Sequence, residues 1–144
     1  MTNEYFMREA LKEAHKALEK DEVPIGAVLA FNGRIVARGH NQVELLQDVT
    51  AHAEMLCITG ASASFQSKYL SEYALYVTLE PCMMCASAIG CAQIGHLIYG
   101  ARDEKKGYTL FGRSPLHPKC VVEHGILEEE CSRLLKDFFK RKRN

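Results

Sequence analysis

The 144-residue sequence predicts an α/β fold, a sandwich of helices around a mixed β-sheet. An early β-hairpin is followed by alternating strand-like and helix-like segments, an order typical of helices packed on such a sheet. Apolar residues make up 47% of the chain, which is enough to fill one core. The length lies within the usual size of a single domain, and no linker or repeat divides the sequence. We therefore expect one domain over residues 1–144.

The first third of the chain predicts a helix and a hairpin. Apolar residues recur at helical spacing within residues 2–20, as an amphipathic helix requires. Two short β-prone runs, 25–31 and 34–38, meet at Asn32-Gly33. Asn-Gly favours a type I′ turn because both turn residues there need positive φ. These features predict a tight hairpin.

Strands and helices alternate through the rest of the chain. Thr50 suits the N-cap of a helix that starts at Ala51, and Pro81 suits the first position of the next helix. The later segments are then a helix at 51–59, a strand at 75–79, a helix at 82–92, a strand at 97–99, an irregular loop at 103–119, a strand within 119–123 and an amphipathic helix at 128–142.

Composition limits the classes of partner and the compartment. Eighteen acidic and eighteen basic side chains give a formal net charge of zero, so any hold on nucleic acid must come from local clusters of charge. The first twenty residues contain no continuous apolar block, and we expect neither a signal peptide nor a membrane anchor. Six cysteines without an export signal indicate a reducing compartment, so we expect a cytoplasmic protein.

Two short motifs predict a catalytic metal site. Cys82 and Cys85 form a Cys-x-x-Cys pair at a predicted helix start, where the positive end of the helix dipole favours the thiolates that bind metal. His52 begins the other helix and supplies a third ligand. Three protein ligands leave one tetrahedral position of zinc open, which distinguishes a catalytic zinc from a structural one. Glu54 in the same first turn would act as a proton carrier beside a zinc-activated water.

Each motif taken alone is also compatible with an ordinary structural role. Cys-x-x-Cys also occurs as a redox pair, as half of a structural zinc site or as two buried cysteines, and a single histidine is usually an ordinary hydrogen-bonded side chain. Their combination, with Pro before the first Cys and each half at a helix start, favours the metal site. The remaining cysteines have no such partners, and we expect them to pack in the core: Cys57, Cys91, Cys120 and Cys131.

With these motifs the sequence resembles the bacterial tRNA-specific adenosine deaminases, which belong to the cytidine deaminase-like superfamily of zinc enzymes. His-x-Glu with Pro-Cys-x-x-Cys is the superfamily signature. The flanking segments that select this branch are 22–28, 39–41, 75–85, 100–103, 125–127 and 137–139. The resemblance implies a three-layer α/β/α sandwich with a five-stranded mixed sheet and one Zn²⁺ per subunit. It also implies conversion of the wobble adenosine of tRNA anticodons to inosine, with Glu54 moving the protons.

The resemblance further implies how substrate is bound. Asn41 and Asp103 would contact the flipped nucleotide and its sugar, and the backbone amide of Ala53 would bind the base. Phe139 and the basic residues after it would meet the anticodon stem-loop. Members of the family are homodimers, and we expect neither a membrane nor DNA as a partner. One departure is residues 107–111, Gly-Tyr-Thr-Leu-Phe, which replace a segment of small residues.

The residues alone support RNA binding less specifically. Basic side chains at 136 and 140–143 cluster beside Phe138 and Phe139, a combination suited to phosphates and unstacked bases. Alternatively, Phe138 packs in the core and the terminal charges only solvate a helix. Two other functions also remain open at this stage. One is deamination of a free guanine, cytosine or cytidine, and the other is a non-catalytic zinc-binding subunit of an assembly.

Overall fold

The computed structural model describes residues 2–143 and has an α/β architecture. Helices and strands alternate after an N-terminal helix and hairpin, as predicted. The order is α1 (Asn3–Glu19), β1 (Gly26–Phe31), β2 (Arg34–His40), α2 (Val43–Leu46), α3 (Ala53–Phe65), β3 (Ala74–Leu79), α4 (Met83–Cys91), β4 (His96–Ala101), a 3₁₀ turn (Tyr108–Leu110), β5 (Val121–His124) and α5 (Glu128–Arg143).

The five strands form one mixed sheet in the order β2-β1-β3-β4-β5. β1 pairs antiparallel with β2 and β3, whereas β3, β4 and β5 are parallel. The β1–β2 hairpin turns at Asn32 and Gly33, whose φ angles are +52° and +74°. Both turn residues have the positive φ that a type I′ turn requires, so the predicted hairpin is confirmed.

Helices cover both faces of the sheet and enclose two cores. α1 and α5 pack on one face, and α3 and α4 lie on the other. Successive strand residues point to opposite faces, so fully buried Val28 and Leu29 of β1 enter different cores. This arrangement is the expected three-layer sandwich with a five-stranded mixed sheet.

The two helices of the predicted site start later than the sequence suggested. The N-cap of α3 is His52 rather than Thr50. Both the N–H and the hydroxyl of Thr50 donate to Asp48 Oδ1, at 2.8 and 2.7 Å, so a local turn occupies that side chain instead. Similarly, the N-cap of α4 is Cys82, which leaves Pro81 outside the first helical position.

Other differences concern short elements and one cysteine. The turn-long α2 was not predicted because four residues show no periodicity. α3 also continues past the predicted end at residue 59 to Phe65. Cys57 and Cys131 are buried as expected and Cys120 is partly buried, but Cys91 at the end of α4 is exposed, so its expected core role is wrong.

α5 separates charge along its length. Its first turn carries three glutamates at 128–130 and its last turn carries four cations at 140–143. This order opposes the helix macrodipole at both ends and therefore stabilises the helix. Phe138 is buried, whereas Phe139 is 45% exposed. No helix within residues 2–143 has the length and apolar character needed to cross a membrane.

Candidate metal centre and active site

The candidate site lies where three strands end at one edge of the sheet. β2 and β3 each pair antiparallel with β1 and so run the same way, and β4 is parallel to β3. Their carboxyl ends therefore meet, and ligands in open α/β sheets bind at such an edge. The residues just after these strands are Asn41, Glu80 and Arg102-Asp103. The sheet topology thus collects residues that are far apart in sequence.

Two helix N-termini bring three side chains that could hold a metal ion together at this edge. His52 Nδ1 lies 3.6 Å from Cys82 Sγ and 3.5 Å from Cys85 Sγ. All three ligand atoms fall within 4.8 Å of one another. His52 and Cys82 are both N-cap residues whose side chains make no capping hydrogen bond. Each is therefore free to bind a metal in front of the positive end of its helix.

The donor set and its spacing fit a zinc ion. Zinc–sulfur and zinc–nitrogen bonds of about 2.3 and 2.1 Å at tetrahedral angles place S and N about 3.6 Å apart, which matches the two distances found. Hydrogen bonds from Cys85 and His52 lower the pKa of the Cys82 thiol to about 3. The pKa of Cys85 is raised because its thiol donates a hydrogen bond to Cys82 and because the thiol is buried. Because zinc binds cysteine as the thiolate, metal binding would displace thiol protons from the pair.

Glu54 is a buried carboxyl in the first turn of α3. Its side chain is 4% exposed, and burial raises its pKa to about 7. The negative charge of Cys82 also favours the protonated form of Glu54, while His52 opposes it. A carboxyl with a pKa near neutrality can take up and release a proton at physiological pH. The arrangement therefore places a buried, titratable carboxyl beside the three candidate ligands.

The predicted substrate-binding residues have different surroundings. Asn41 is 7% exposed, and its amide donates to Val23 O at 3.4 Å while its Oδ1 accepts from Val43 N–H at 3.3 Å. Asp103 Oδ1 accepts from the N–H groups of residues 105 and 106, each at 3.0 Å. Ala53 is the fully buried first residue of α3. These three lie along the edge described above, whereas Phe139 lies on α5, in the opposite helical layer.

Sequence reasoning missed two buried carboxylates near this edge. Glu22, 2% exposed, accepts from the N–H groups of Glu44 and Leu45 at 3.0 and 2.7 Å. Glu80, 3% exposed, accepts from Asp103 N–H and from the N–H and hydroxyl of Thr109. The available signal was an acidic residue next to apolar runs, since Glu80 directly follows the buried strand β3. Glu22 thus anchors the short helix α2, and Glu80 anchors the segment after β4.

Comparison with known proteins gives a consistent match over the whole chain. The model of the MafB19-like deaminase family matches residues 1–143. The tRNA-specific adenosine deaminase of Aquifex aeolicus is 44% identical over 149 residues, covering 100% of this chain and 98% of that protein. The chloroplastic tRNA(adenine(34)) deaminase of Arabidopsis thaliana is 44% identical over 159 residues, covering 96% of this chain and 12% of that protein.

A solved structure agrees with the sequence matches. It comes from a study of A-to-I editing by tRNA:A34 deaminases at the wobble position of transfer RNA. Its TM-score is 0.85 at 46% sequence identity, and the match covers 91% of this chain and 99% of that chain. The agreement of family model, relatives and fold leads to one assignment: the chain belongs to the MafB19-like deaminase family and, within it, to the tRNA-specific adenosine deaminases.

Proposed function

We propose that this protein deaminates adenosine to inosine at the wobble position of tRNA anticodons. It would act as one zinc-dependent deaminase domain over residues 1–144. The observation that carries this proposal is the grouping of His52, Cys82 and Cys85 beside the buried carboxyl of Glu54. The choice of tRNA as substrate rests on the similarity to tRNA-specific adenosine deaminases. A non-catalytic zinc subunit would have no use for the buried proton carrier.

His52, Cys82 and Cys85 would hold one Zn²⁺ per subunit. A zinc with three protein ligands keeps a position open for water and lowers the pKa of that water to about 7. The Glu54 carboxylate takes a proton as the water oxygen attacks the adenine carbon bearing the amino group. Glu54 would then deliver this proton to the adjacent ring nitrogen. It would next take the second proton of the former water from the new hydroxyl on that carbon and deliver it to the amino group, which leaves as ammonia. Adenosine and water are thereby converted to inosine and ammonia.

The substrate base must leave the RNA stack, because the attacked carbon is inaccessible within it. Asn41 and Asp103 would contact the flipped nucleotide and its sugar, as in the family the chain resembles. The N–H of Ala53 would bind the base. This N–H makes no backbone hydrogen bond within residues 2–143, in keeping with the free N–H groups at the start of a helix. A polar donor is thus available at the expected place.

The end of α5 would meet the anticodon stem-loop. Phe139 is 45% exposed and is followed by the exposed cations of residues 140–143. Exposed aromatic rings stack on unpaired bases, and neighbouring cations bind phosphates. Phe138 is buried and serves the core. Of the two neighbouring rings, only Phe139 would therefore be available to RNA.

The protein would work as a cytoplasmic homodimer. All six cysteines are free, in keeping with a reducing compartment. The outer face of α3 and α4 carries a groove of about 690 Å³ lined by Ile58, Tyr69, Ala88 and neighbouring residues. Such an apolar groove suits packing against a second copy. Light scattering would test this: we expect a dimer, and Ala88→Glu should yield a monomer.

Inosine formation is the direct test of the reaction. Zinc-loaded protein is incubated with an anticodon stem-loop carrying adenosine at the wobble position and, separately, with adenosine, cytidine, cytosine and guanine. We expect inosine in the RNA alone, and none with Glu54→Ala although that variant retains zinc. Turnover of a free base or nucleoside without any RNA product would support the proposed deamination but refute tRNA as the substrate. A metal-free Glu54→Ala protein would contradict the proposed division of roles.

A further inference from the structure

We propose that Glu80 is a positioning residue for the substrate: it fixes the loop 103–109 that carries Asp103 at the edge of the site. This inference rests on the proposed function, because Asp103 is assigned a nucleotide contact there. Glu80 itself would touch neither the metal nor the substrate. Its role would be to hold the loop in its binding conformation before RNA arrives.

The carboxylate of Glu80 binds both ends of this loop. Oε1 accepts from Asp103 N–H at 3.1 Å. Oε2 accepts from Thr109 N–H at 3.1 Å and from the Thr109 hydroxyl at 2.7 Å. No ion pair joins Glu80 to a basic side chain among residues 2–143, although it is only 3% exposed. A buried carboxylate is tolerated here because three donors from one loop replace its water.

The loop is also seated on the segment that carries Cys82. Tyr108 N–H donates to Pro81 O at 3.0 Å, and Gly107 forms an isolated antiparallel bridge with Cys82. The approach is close at Gly107, where an added Cβ would lie 2.2 Å from Glu80 Oε2 and 2.6 Å from Asp103 O. Position 107 of the loop therefore accepts only glycine, because any side chain there would collide with Glu80 and with the Asp103 carbonyl. One buried contact thus links the candidate metal-binding segment to the candidate nucleotide contact.

A carboxylate is chemically required by this arrangement. Donors approach both of its oxygens, so the anchoring group must accept on both sides. Glutamine has the same shape, but its NH₂ donates and would face the N–H of either Asp103 or Thr109. One end of the loop would then lose its partner. The loop would populate its binding conformation for only a fraction of the time, and apparent substrate affinity falls by that fraction.

The test compares Glu80→Gln and Gly107→Ala with the wild type as zinc-loaded dimer on the wobble-adenosine stem-loop. Glu80→Gln removes one hydrogen-bond acceptor. Gly107→Ala keeps the carboxylate, but its added methyl group prevents the loop from packing against Glu80. We expect both to raise KM about tenfold while kcat stays within about twofold and zinc per chain is unchanged. Thr109→Val removes only the hydroxyl donor and should raise KM less. If Glu80→Gln does not fold, Gly107→Ala and Thr109→Val carry the test.

Two further measurements separate positioning from a general loss of stability. Hydrogen exchange without RNA should show faster exchange of the Asp103 and Thr109 amides in Glu80→Gln. Glu13→Gln is the matched control, because Glu13 is 2% exposed and binds Lys16 and His40 instead. We expect this control to leave KM and the two amides unchanged.

Three results would overturn the proposal: a fall in kcat with KM unchanged, loss of zinc, or amide exchange in Glu80→Gln equal to that of the wild type. Failure of the proposed function is distinguished by the wild-type enzyme alone. If the wild type converts a free base or nucleoside and not the RNA, the same KM ratio is measured with that substrate. The amide exchange tests the anchor in either case.

Discussion

Replacing Gly39 with alanine tests how closely the active-site helix must sit on the hairpin. Gly39 lies in β2, and an added Cβ would stand 2.5 Å from the carbonyl oxygen of Ala53 and 3.2 Å from Cys57 N. Ordinary van der Waals contact begins at 3.4 Å, so strand and helix must separate by about 0.9 Å. Because β2 is an edge strand, we expect it to share the movement with α3. The start of α3 would then move by roughly half that distance.

The expected loss of rate depends on how close the displaced atoms lie to the proposed catalytic residues. His52 and Glu54 flank the first residue of α3, and a misplacement of about 1 Å can reduce the rate about 100-fold. A shift of half that size should lower kcat about tenfold. Overpacking destabilises by about 1–3 kcal/mol, whereas replacing glycine at an ordinary φ gains about 0.4–1 kcal/mol. The net loss of about 1–2 kcal/mol should lower Tm by about 3–6 °C.

Initial rates of inosine formation and thermal unfolding measure both effects. Gly60→Ala is the matched control, because Gly60 lies in the same helix and an added Cβ there meets nothing within 4 Å. It should keep wild-type kcat and gain about 0.5–1 kcal/mol, the usual benefit of alanine over glycine inside a helix. Wild-type kcat in a folded Gly39→Ala protein would refute the reasoning, because the helix start would then tolerate the displacement.

Four other perturbations have defined outcomes. Hydrogen bonds from Lys12 and Arg38 hold the pKa of Glu9 below its usual value of 4.5. A lowered folded pKa gives stabilisation that is complete above pH 4.5 and is lost as pH falls through the folded value. Glu9→Gln should therefore reduce the difference in urea midpoint between about pH 7 and about pH 3.5. Phe139→Ala should weaken stem-loop binding by about 1–3 kcal/mol with an unchanged Tm, as expected for one lost base stack. Phe138→Ala should instead lose about 3–5 kcal/mol of folding free energy, because that ring is buried. Removal of metal by a chelator should abolish inosine formation, and stoichiometric Zn²⁺ should restore it.

Each of these expectations has a contradicting result. If the urea midpoint of Glu9→Gln depends on pH as that of the wild type does, the hydrogen bonds of Glu9 to Lys12 and Arg38 do not contribute to stability, because water competes for them. Equal Tm losses in the two phenylalanine variants would mean that Phe139 serves the core as well. Full activity of metal-depleted protein, checked by metal analysis, would exclude zinc from the reaction.

The long, regular elements could be predicted because their signals are local. Apolar spacing identified α1 and α5, and Asn32-Gly33 identified the hairpin from two residues. The end of α3 was missed because its last turns, from Gly60 to Phe65, are rich in small and polar residues and carry no periodic apolar pattern. Thr50 was misassigned because Asp48 competes for its hydroxyl, and that competition depends on the fold of the turn.

In the candidate site, too, the residues with a local sequence signal could be predicted and those held by long-range contacts could not. Motif spacing predicted the three donors that the fold groups within 4.8 Å, since each half of the motif sits at its own helix start. The anchors Glu22 and Glu80 could not be predicted, because Glu22 binds amides of α2 that are 22 and 23 residues away and Glu80 binds amides 23 and 29 residues away. Such pairings depend on strand order, which one sequence does not reveal directly.

The separation of charge along α5 has a consequence for how the protein meets a polyanion. Three glutamates begin this helix and four cations end it, and the centres of the two groups are about 19 Å apart at 1.5 Å per residue. A chain with zero net charge is not attracted as a whole, but such a helix feels a torque that turns its basic end toward the negative partner. At physiological salt the field decays over about 8 Å. Alignment is therefore confined to the final approach, and lowering the ionic strength should extend its range and raise the fraction of productive encounters.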